Sequence, residues 1–172
     1  MPPMLLSPRE ILDRLVGFPS VSKESNLDFI DWVEGYLASH GVKSHRVYNE
    51  DGTKAALFAN VGPMVEGGVI LSGHSDVVPV EGQDWDPDPF TVVEKEGRLF
   101  GRGTCDMKGF VALALAAVPL AINAGVKRPL QIAISYDEEV GCTGAPPMIA
   151  QMVKTLPKAA AVVVGEPSMM RL

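Results

Sequence analysis

A chain of 172 residues is long enough to bury one sizeable core, and 47% hydrophobic with 21% charged residues is ordinary globular composition. The net charge of −6 argues against nucleic acid and anionic membrane surfaces as partners. The longest apolar run, Phe110 to Ile122, is too short to span a bilayer and reads as a buried helix.

In chain order, Ser7-Pro8-Arg9-Glu10 is a capping box with proline at the first helical position. It opens a helix carrying Ile11, Leu12, Leu15 and Val16 that stops near Gly17. Asn26 is the expected N-cap of a second helix, in which Phe29, Ile30, Val33, Tyr36 and Leu37 keep helical spacing up to Gly41. Val42 to Tyr48 and Lys54 to Val61 are expected strands around an Asn49-Glu50-Asp51-Gly52 turn. Val69 to Gly73 is a third strand, followed by a Pro- and Asp-rich loop from Val77 to Phe90, a length that is usually functional. Thr91 to Glu94 and Arg98 to Phe100 suggest a hairpin. Met107 to Ala124 suggests a helix that Pro119 kinks or breaks. Leu130 to Tyr136 is a near-continuous apolar run, as in a strand covered on both faces. A helix over Met148 to Leu156 and a strand over Ala160 to Val164 complete the series. Alternating strands and helices imply an α/β fold, with a mixed, mostly parallel sheet flanked by helices.

Three apolar strands end in metal-type side chains. Val69 to Gly73 runs into His74-Ser75-Asp76, Leu130 to Tyr136 into Asp137-Glu138-Glu139, and Ala161 to Gly165 into Glu166. In open α/β sheets ligands bind beyond the carboxyl ends of the strands, so topology alone brings these groups together. His74 and Asp76 lie two apart and share a face of extended chain, which lets the carboxylate orient the imidazole. Glu138 and Glu139 diverge in direction, so one can bind a metal while the other faces a water. Asp106 follows Gly101-Arg102-Gly103 where a dinucleotide fingerprint requires its third glycine. A carboxylate there repels phosphate and suits a cation, which excludes the dinucleotide reading. Gly73-His74-Ser75-Asp76-Val77 is not a nucleophile elbow, and no zincin helix occurs. His40 and His45 read as surface residues. Cys105 and Cys142 form no CxxC pair and no disulfide framework, as in a reduced cytoplasmic protein. Met1-Pro2-Pro3-Met4 has no basic n-region, so no secretory signal is expected.

The stretches SGHSDVVPV (72–80), DWDPDPF (84–90), GRGTCDMKG (101–109), SYDEEVGC (135–142) and VVGEPS (163–168), in this order and spacing, resemble the M20 family of dinuclear zinc amidohydrolases. Ser25-Asn26-Leu27, Glu50 to Ala55 and the SYDEEVGC form look most like the acetylornithine deacetylase branch, with the succinyl-diaminopimelate desuccinylase branch and other M20 peptidases as alternatives.

The resemblance implies two zinc ions per complete subunit, with cobalt a possible substitute. His74 and Glu166 would bind the first, Glu139 the second, and Asp106 would bridge them. Asp76 would tune His74, and Glu138 would be the general base. It also implies a cis bond between Asp106 and Met107. Two dications against three metal-binding carboxylates and a hydroxide leave such a site nearly neutral. The implied reaction releases acetate and ornithine from N2-acetyl-L-ornithine, a step of arginine biosynthesis. Residues 1–172 would be the N-terminal portion of the catalytic domain. The rest of that domain, with a second histidine ligand, and a smaller lid domain supporting a homodimer would be absent. Such a chain alone is expected to be weakly active or inactive, with an apolar sheet edge exposed. A catalytically inactive metal-binding fragment is the alternative of another class.

Overall fold

The computed structural model describes residues 3–86 and 88–169; readings that touch Met1, Pro2, Pro87 and Leu172 lie outside these. The elements are α1 (Pro8–Val16), α2 (Leu27–Ser39), β1 (Ser44–Tyr48), β2 (Ala55–Val61), β3 (Gly68–His74), β4 (Val93–Lys95), β5 (Arg98–Phe100), α3 (Lys108–Ala124), β6 (Leu130–Ser135), α4 (Ala145–Thr155) and β7 (Ala159–Val164). Five strands form one sheet in the order β1-β2-β6-β3-β7, and β4 and β5 pair as a separate hairpin. β1, β6, β3 and β7 share a direction; β2 alone opposes them. This is the mixed, mostly parallel sheet expected from the sequence.

Strand alternation sorts the core into two layers. On β2, Ala55, Leu57, Ala59 and Val61 join α1, α2 and α3 on one face, with Ile132 and Ile134 of β6. Ala56 and Phe58 turn to the other face and pack with Ala133, Met148 and Met152 under α4. β6 lies between β2 and β3 and is covered on both faces, which explains its unbroken apolar run. β7 is an edge strand, and Val162, Val163 and Val164 are 55%, 46% and 59% exposed. The apolar edge expected from the sequence is therefore present.

Several local expectations acquire physical reasons. The Ser7 capping box forms, with Glu10 N–H donating to Ser7 Oγ and Ser7 N–H donating to Glu10 Oε2. Asn26 stands at the N-cap of α2 but makes no cap bond. Its buried amide instead donates to the Ala55 carbonyl and to Ser75 Oγ, each at 2.8 Å, and accepts Ala55 N–H at 2.9 Å. Pro119 does not break α3, which runs on to Gly125, a left-handed cap with φ 58°. Proline leaves the carbonyl four residues earlier, Leu115, without its helical donor. The Tyr36 hydroxyl takes that place at 3.3 Å. α4 starts three residues before Met148, because Pro146 and Pro147 are tolerated in a first turn. His40 and His45 are half-buried rather than on the surface: each packs against an aromatic ring, Tyr36 at 4.8 Å and Phe58 at 5.0 Å between centroids. No helix among the described residues is long and apolar enough to cross a membrane.

Candidate metal centre

Because β3, β6 and β7 are parallel, their carboxyl ends open on one edge of the sheet. His74 closes β3, Glu138 and Glu139 follow β6 after a turn, and Glu166 follows β7 after Gly165. Asp106 arrives from the loop that leads into α3, and its bond to Met107 is cis. Gly165 N–H donates to the Ser72 carbonyl at 3.1 Å and so extends β7 by one residue toward Glu166. A side chain at Gly165 would collide with Phe110, since its Cβ would lie 1.9 Å from the ring.

His74 is 1% exposed, and the two ring nitrogens face different partners. Nδ1 lies 2.9 Å from the Asp76 main-chain carbonyl, which can only accept, so Nδ1 carries a proton. The Asp76 carboxylate is further from Nδ1, at 3.5 Å. Nε2 faces Asp106 Oδ1 at 3.2 Å, Glu138 Oε2 at 3.8 Å and Glu166 Oε1 at 3.9 Å. Fixing the proton on Nδ1 leaves Nε2 as the ligand atom.

Asp76 is also buried, and its carboxylate has more to hold than the imidazole. It accepts Ser22 Oγ–H at 2.7 Å, Glu138 N–H at 3.1 Å and Glu139 N–H at 3.3 Å. Burial opposes its charge, but His74, Ser22 and the Glu138 N–H together hold its pKa below the usual carboxylate value.

Ligand atoms of His74, Asp106 and Glu139 lie within 4.8 Å of one another, as do those of His74, Glu138 and Glu166. His74, Asp106, Glu138, Glu139 and Glu166 thus meet, with Glu138, the expected base, inside one of these groups and Asp76 behind the imidazole. Without a cation the crowding has a cost. Burial, then the Asp106 charge, raise the Glu139 carboxyl, and burial with the neighbouring acids raises Glu166. Burial also opposes charge on His74, but the Asp76 carboxylate and carbonyl outweigh it and push the imidazole up to about 9. One imidazole and several carboxylates, half of them competing with one another for protons, are a donor set that fits a borderline or hard divalent cation.

Two neighbours lie inside the GRGTCDMKG stretch, but the sequence assigns them no role. Lys108, two residues after Asp106, is fully buried; its Nζ donates to the Phe18 carbonyl at 2.7 Å, and burial pushes it down to about 7. Arg102 ties the acidic loop to the glycine turn. It lies over Trp85 at 5.1 Å, donates to Gln83 Oε1 at 2.5 Å, and its N–H donates to the Pro89 carbonyl. A cleft of about 660 Å³ opens beside Glu166, with Cys105, Phe110 and Leu113 on its walls. Both cysteines are free and exposed.

A family model described as Peptidase family M20/M25/M40 matches residues 70–171, more than half of the chain and every residue of the metal-type cluster. This chain belongs to that family. An acetylornithine deacetylase of Buchnera aphidicola subsp. Acyrthosiphon pisum (strain Tuc7) is 32% identical over 171 residues, which cover 95% of this chain and 43% of that relative. The chain therefore spans less than half the length of the curated relatives it matches. Among solved structures, an M20 family metallo-carboxypeptidase, Sso-CP2 of Sulfolobus solfataricus, superposes with a TM-score of 0.80 at 20% identity, covering 94% of this chain and 37% of that one. Human carnosine dipeptidase 1 superposes with a TM-score of 0.71 at 22% identity, covering 91% and 38%. These likenesses establish the fold of an M20 hydrolase.

Proposed function

We propose that this M20 chain supplies most of the metal centre of a dinuclear zinc amide hydrolase acting on N2-acetyl-L-ornithine. The observation that carries the reading is His74 Nε2 turned toward Asp106, Glu138 and Glu166 while Nδ1 is tied back to the Asp76 carbonyl. His74, Asp106 and Glu166 would hold one ion, and Glu139 with Asp106 would contribute to a second. Zinc fits this donor set, and cobalt can replace it. Bound metal polarises an amide carbonyl and acidifies water.

The remaining chemistry belongs to the chain. Glu138 Oε2 is 3.8 Å from His74 Nε2, too far for a direct hydrogen bond, so its carboxylate is left free to reach a water that an ion on Nε2 would hold. From there Glu138 takes a proton from the attacking water and delivers it to the leaving amine nitrogen. Asp76 holds both His74 and the turn bearing Glu138. The proposed products are acetate and ornithine, and the proposed setting is arginine biosynthesis in the cytoplasm. The acetyl-ornithine assignment rests on the 32% identical relative and the SYDEEVGC stretch. This reading assigns a second histidine ligand, a homodimer-forming lid and turnover to a complete M20 subunit, and the chain spans less than half the length of the curated relatives it matches.

The test pairs metal content with turnover. In the complete, zinc-loaded protein, Glu138→Ala is expected to abolish hydrolysis of N2-acetyl-L-ornithine and leave zinc bound. Unchanged hydrolysis removes Glu138 as the base. A preference for succinyl-diaminopimelate or a dipeptide over acetylornithine moves the assignment to those substrates. A complete protein that binds zinc without Glu138-dependent turnover on any of them is the inactive metal-binding module.

A further inference from the structure

The turn that aims Glu138 and Glu139 is held from outside the metal cluster. Asp137, the first residue of the acidic run, has φ 57°, the left-handed region that non-glycine residues seldom adopt. Its carboxylate does not join the cluster around His74. One oxygen forms an ion pair with Lys54 Nζ, and the other accepts Thr143 Oγ–H at 3.1 Å. The β2–β6 register explains the pairing. Leu57 faces Ile134 and Ala55 begins β2, so the same antiparallel register continued outward sets Lys54 opposite Asp137. The ion pair is largely sheltered, with the two side chains 13% and 17% exposed.

Lys54 has a second partner. Its ammonium also donates to the Ser22 main-chain carbonyl. Ser22 in turn donates its hydroxyl to Asp76 Oδ2 at 2.7 Å, and Asp76 accepts the N–H groups of Glu138 and Glu139. A closed loop of contacts results, from Lys54 to Asp137 along the chain to Glu138 and Glu139, then through Asp76 and Ser22 back to Lys54.

We propose that Lys54 and Ser22 are positioning residues that, through Asp137 and Asp76, fix the direction of the Glu138–Glu139 turn toward the metal cluster. This rests on the metal-centre reading above. Lys54 also holds the Asp137 carboxylate away from the cluster; without that cation, a sheltered acid stands next to two others and is free to compete for the metal. Neither Lys54 nor Ser22 is among the residues grouped to hold a metal. Outer partners of metal ligands carry ~10–100-fold of metal affinity when removed.

The experiment is a calorimetric titration of zinc alone into the 172-residue chain, with urea unfolding of each variant run in parallel. Lys54→Met is expected to weaken zinc binding by ~10-fold or more. Lys54→Arg, which keeps the cation, is expected to recover most of that loss. Asp137→Asn is expected to weaken binding too, and Lys54→Met combined with Asp137→Asn to cost less than the sum, because both remove the same contact. A merely structural role lowers the unfolding midpoint and leaves the zinc affinity of the folded molecules at the parent value; that result overturns the proposal. If Lys54→Met does not fold, Asp137→Asn, which preserves shape, is judged by the same criterion. His74→Ala separates the two levels. Parent-like zinc binding in His74→Ala defeats the metal-centre reading and the clamp with it. Loss of binding in His74→Ala with parent-like binding in Lys54→Met and Asp137→Asn defeats the clamp alone.

Discussion

The Asp76 carboxylate accepts the main-chain N–H of Glu138 at 3.1 Å, so the acid behind the candidate metal ligand also anchors the turn that carries the proposed base. Its three hydrogen bonds to Ser22, Glu138 and Glu139 use acceptor sites that an amide supplies only in part. Asp76→Asn is therefore expected to leave one of these donors facing an NH2 group. Zinc affinity is expected to fall by ~10–100-fold, as for other outer partners of a metal-binding histidine. Calorimetric zinc titration of parent and variant checks this, and equal affinities refute it.

At Gly165, beside the cluster, a methyl group has no room. The Phe110 ring occupies the space, with Cγ 1.9 Å from an ideal Cβ. In Gly165→Ala either Phe110 swings out or the end of β7 shifts with Glu166. Overpacking of this kind costs about 1–3 kcal/mol. Urea unfolding is expected to show that loss, and Phe110→Leu added to Gly165→Ala to recover part of it. A Gly165→Ala chain as stable as the parent, with unchanged zinc affinity, shows that the ring yields freely.

The strand-end residues were legible because each is announced by an apolar run that stops at His74, Glu138 or Glu166, and a parallel sheet collects such ends on one side. Asp106 was legible because a carboxylate replaces a glycine in the turn. Contacts between distant segments were not. Asn26 occupies the helix start it announces, yet its amide is drawn to Ala55 and Ser75, buried partners that outcompete the cap. Lys54, Ser22 and Lys108 look like ordinary polar residues until the fold buries them, and the pairing of Lys54 with Asp137 follows only from strand register. The grouping of ligand atoms was hidden for the same reason, since spacing along the chain does not say which carboxylates point at each other.

Pro119 and Tyr36 give a stability prediction independent of the metal. The Tyr36 hydroxyl is the donor for the Leu115 carbonyl that Pro119 leaves open. Tyr36→Phe is expected to cost about 1–3 kcal/mol, the range for a buried polar group left unpaired. In a Pro119→Ala background residue 119 regains its N–H and can donate to Leu115, so the same Tyr36→Phe change is expected to cost less. Urea unfolding of the four chains measures the coupling, and a cost for Tyr36→Phe that is the same in both backgrounds removes this explanation of the unbroken helix.

Zinc and protons compete for His74, which gives the pH dependence a definite sign. The folded, metal-free chain holds the imidazole up to about 9, above its ordinary value of about 6.5. The raised value stabilises the metal-free fold fully below about 6.5, and that contribution is lost as pH rises through about 9. Zinc needs the Nε2 lone pair, so at pH 7 binding expels a proton. Apparent zinc affinity is therefore expected to rise by up to about tenfold per pH unit between about 7 and 9 and to level off above, while the metal-free chain loses stability over the same window. Calorimetry in two buffers of different ionisation enthalpy is expected to show about one proton released from His74 per zinc near pH 7.5. Affinity that does not change between pH 7 and 9, with no proton release, means that His74 binds zinc from an already neutral ring, and that the Asp76 carboxylate does not hold the imidazole charged.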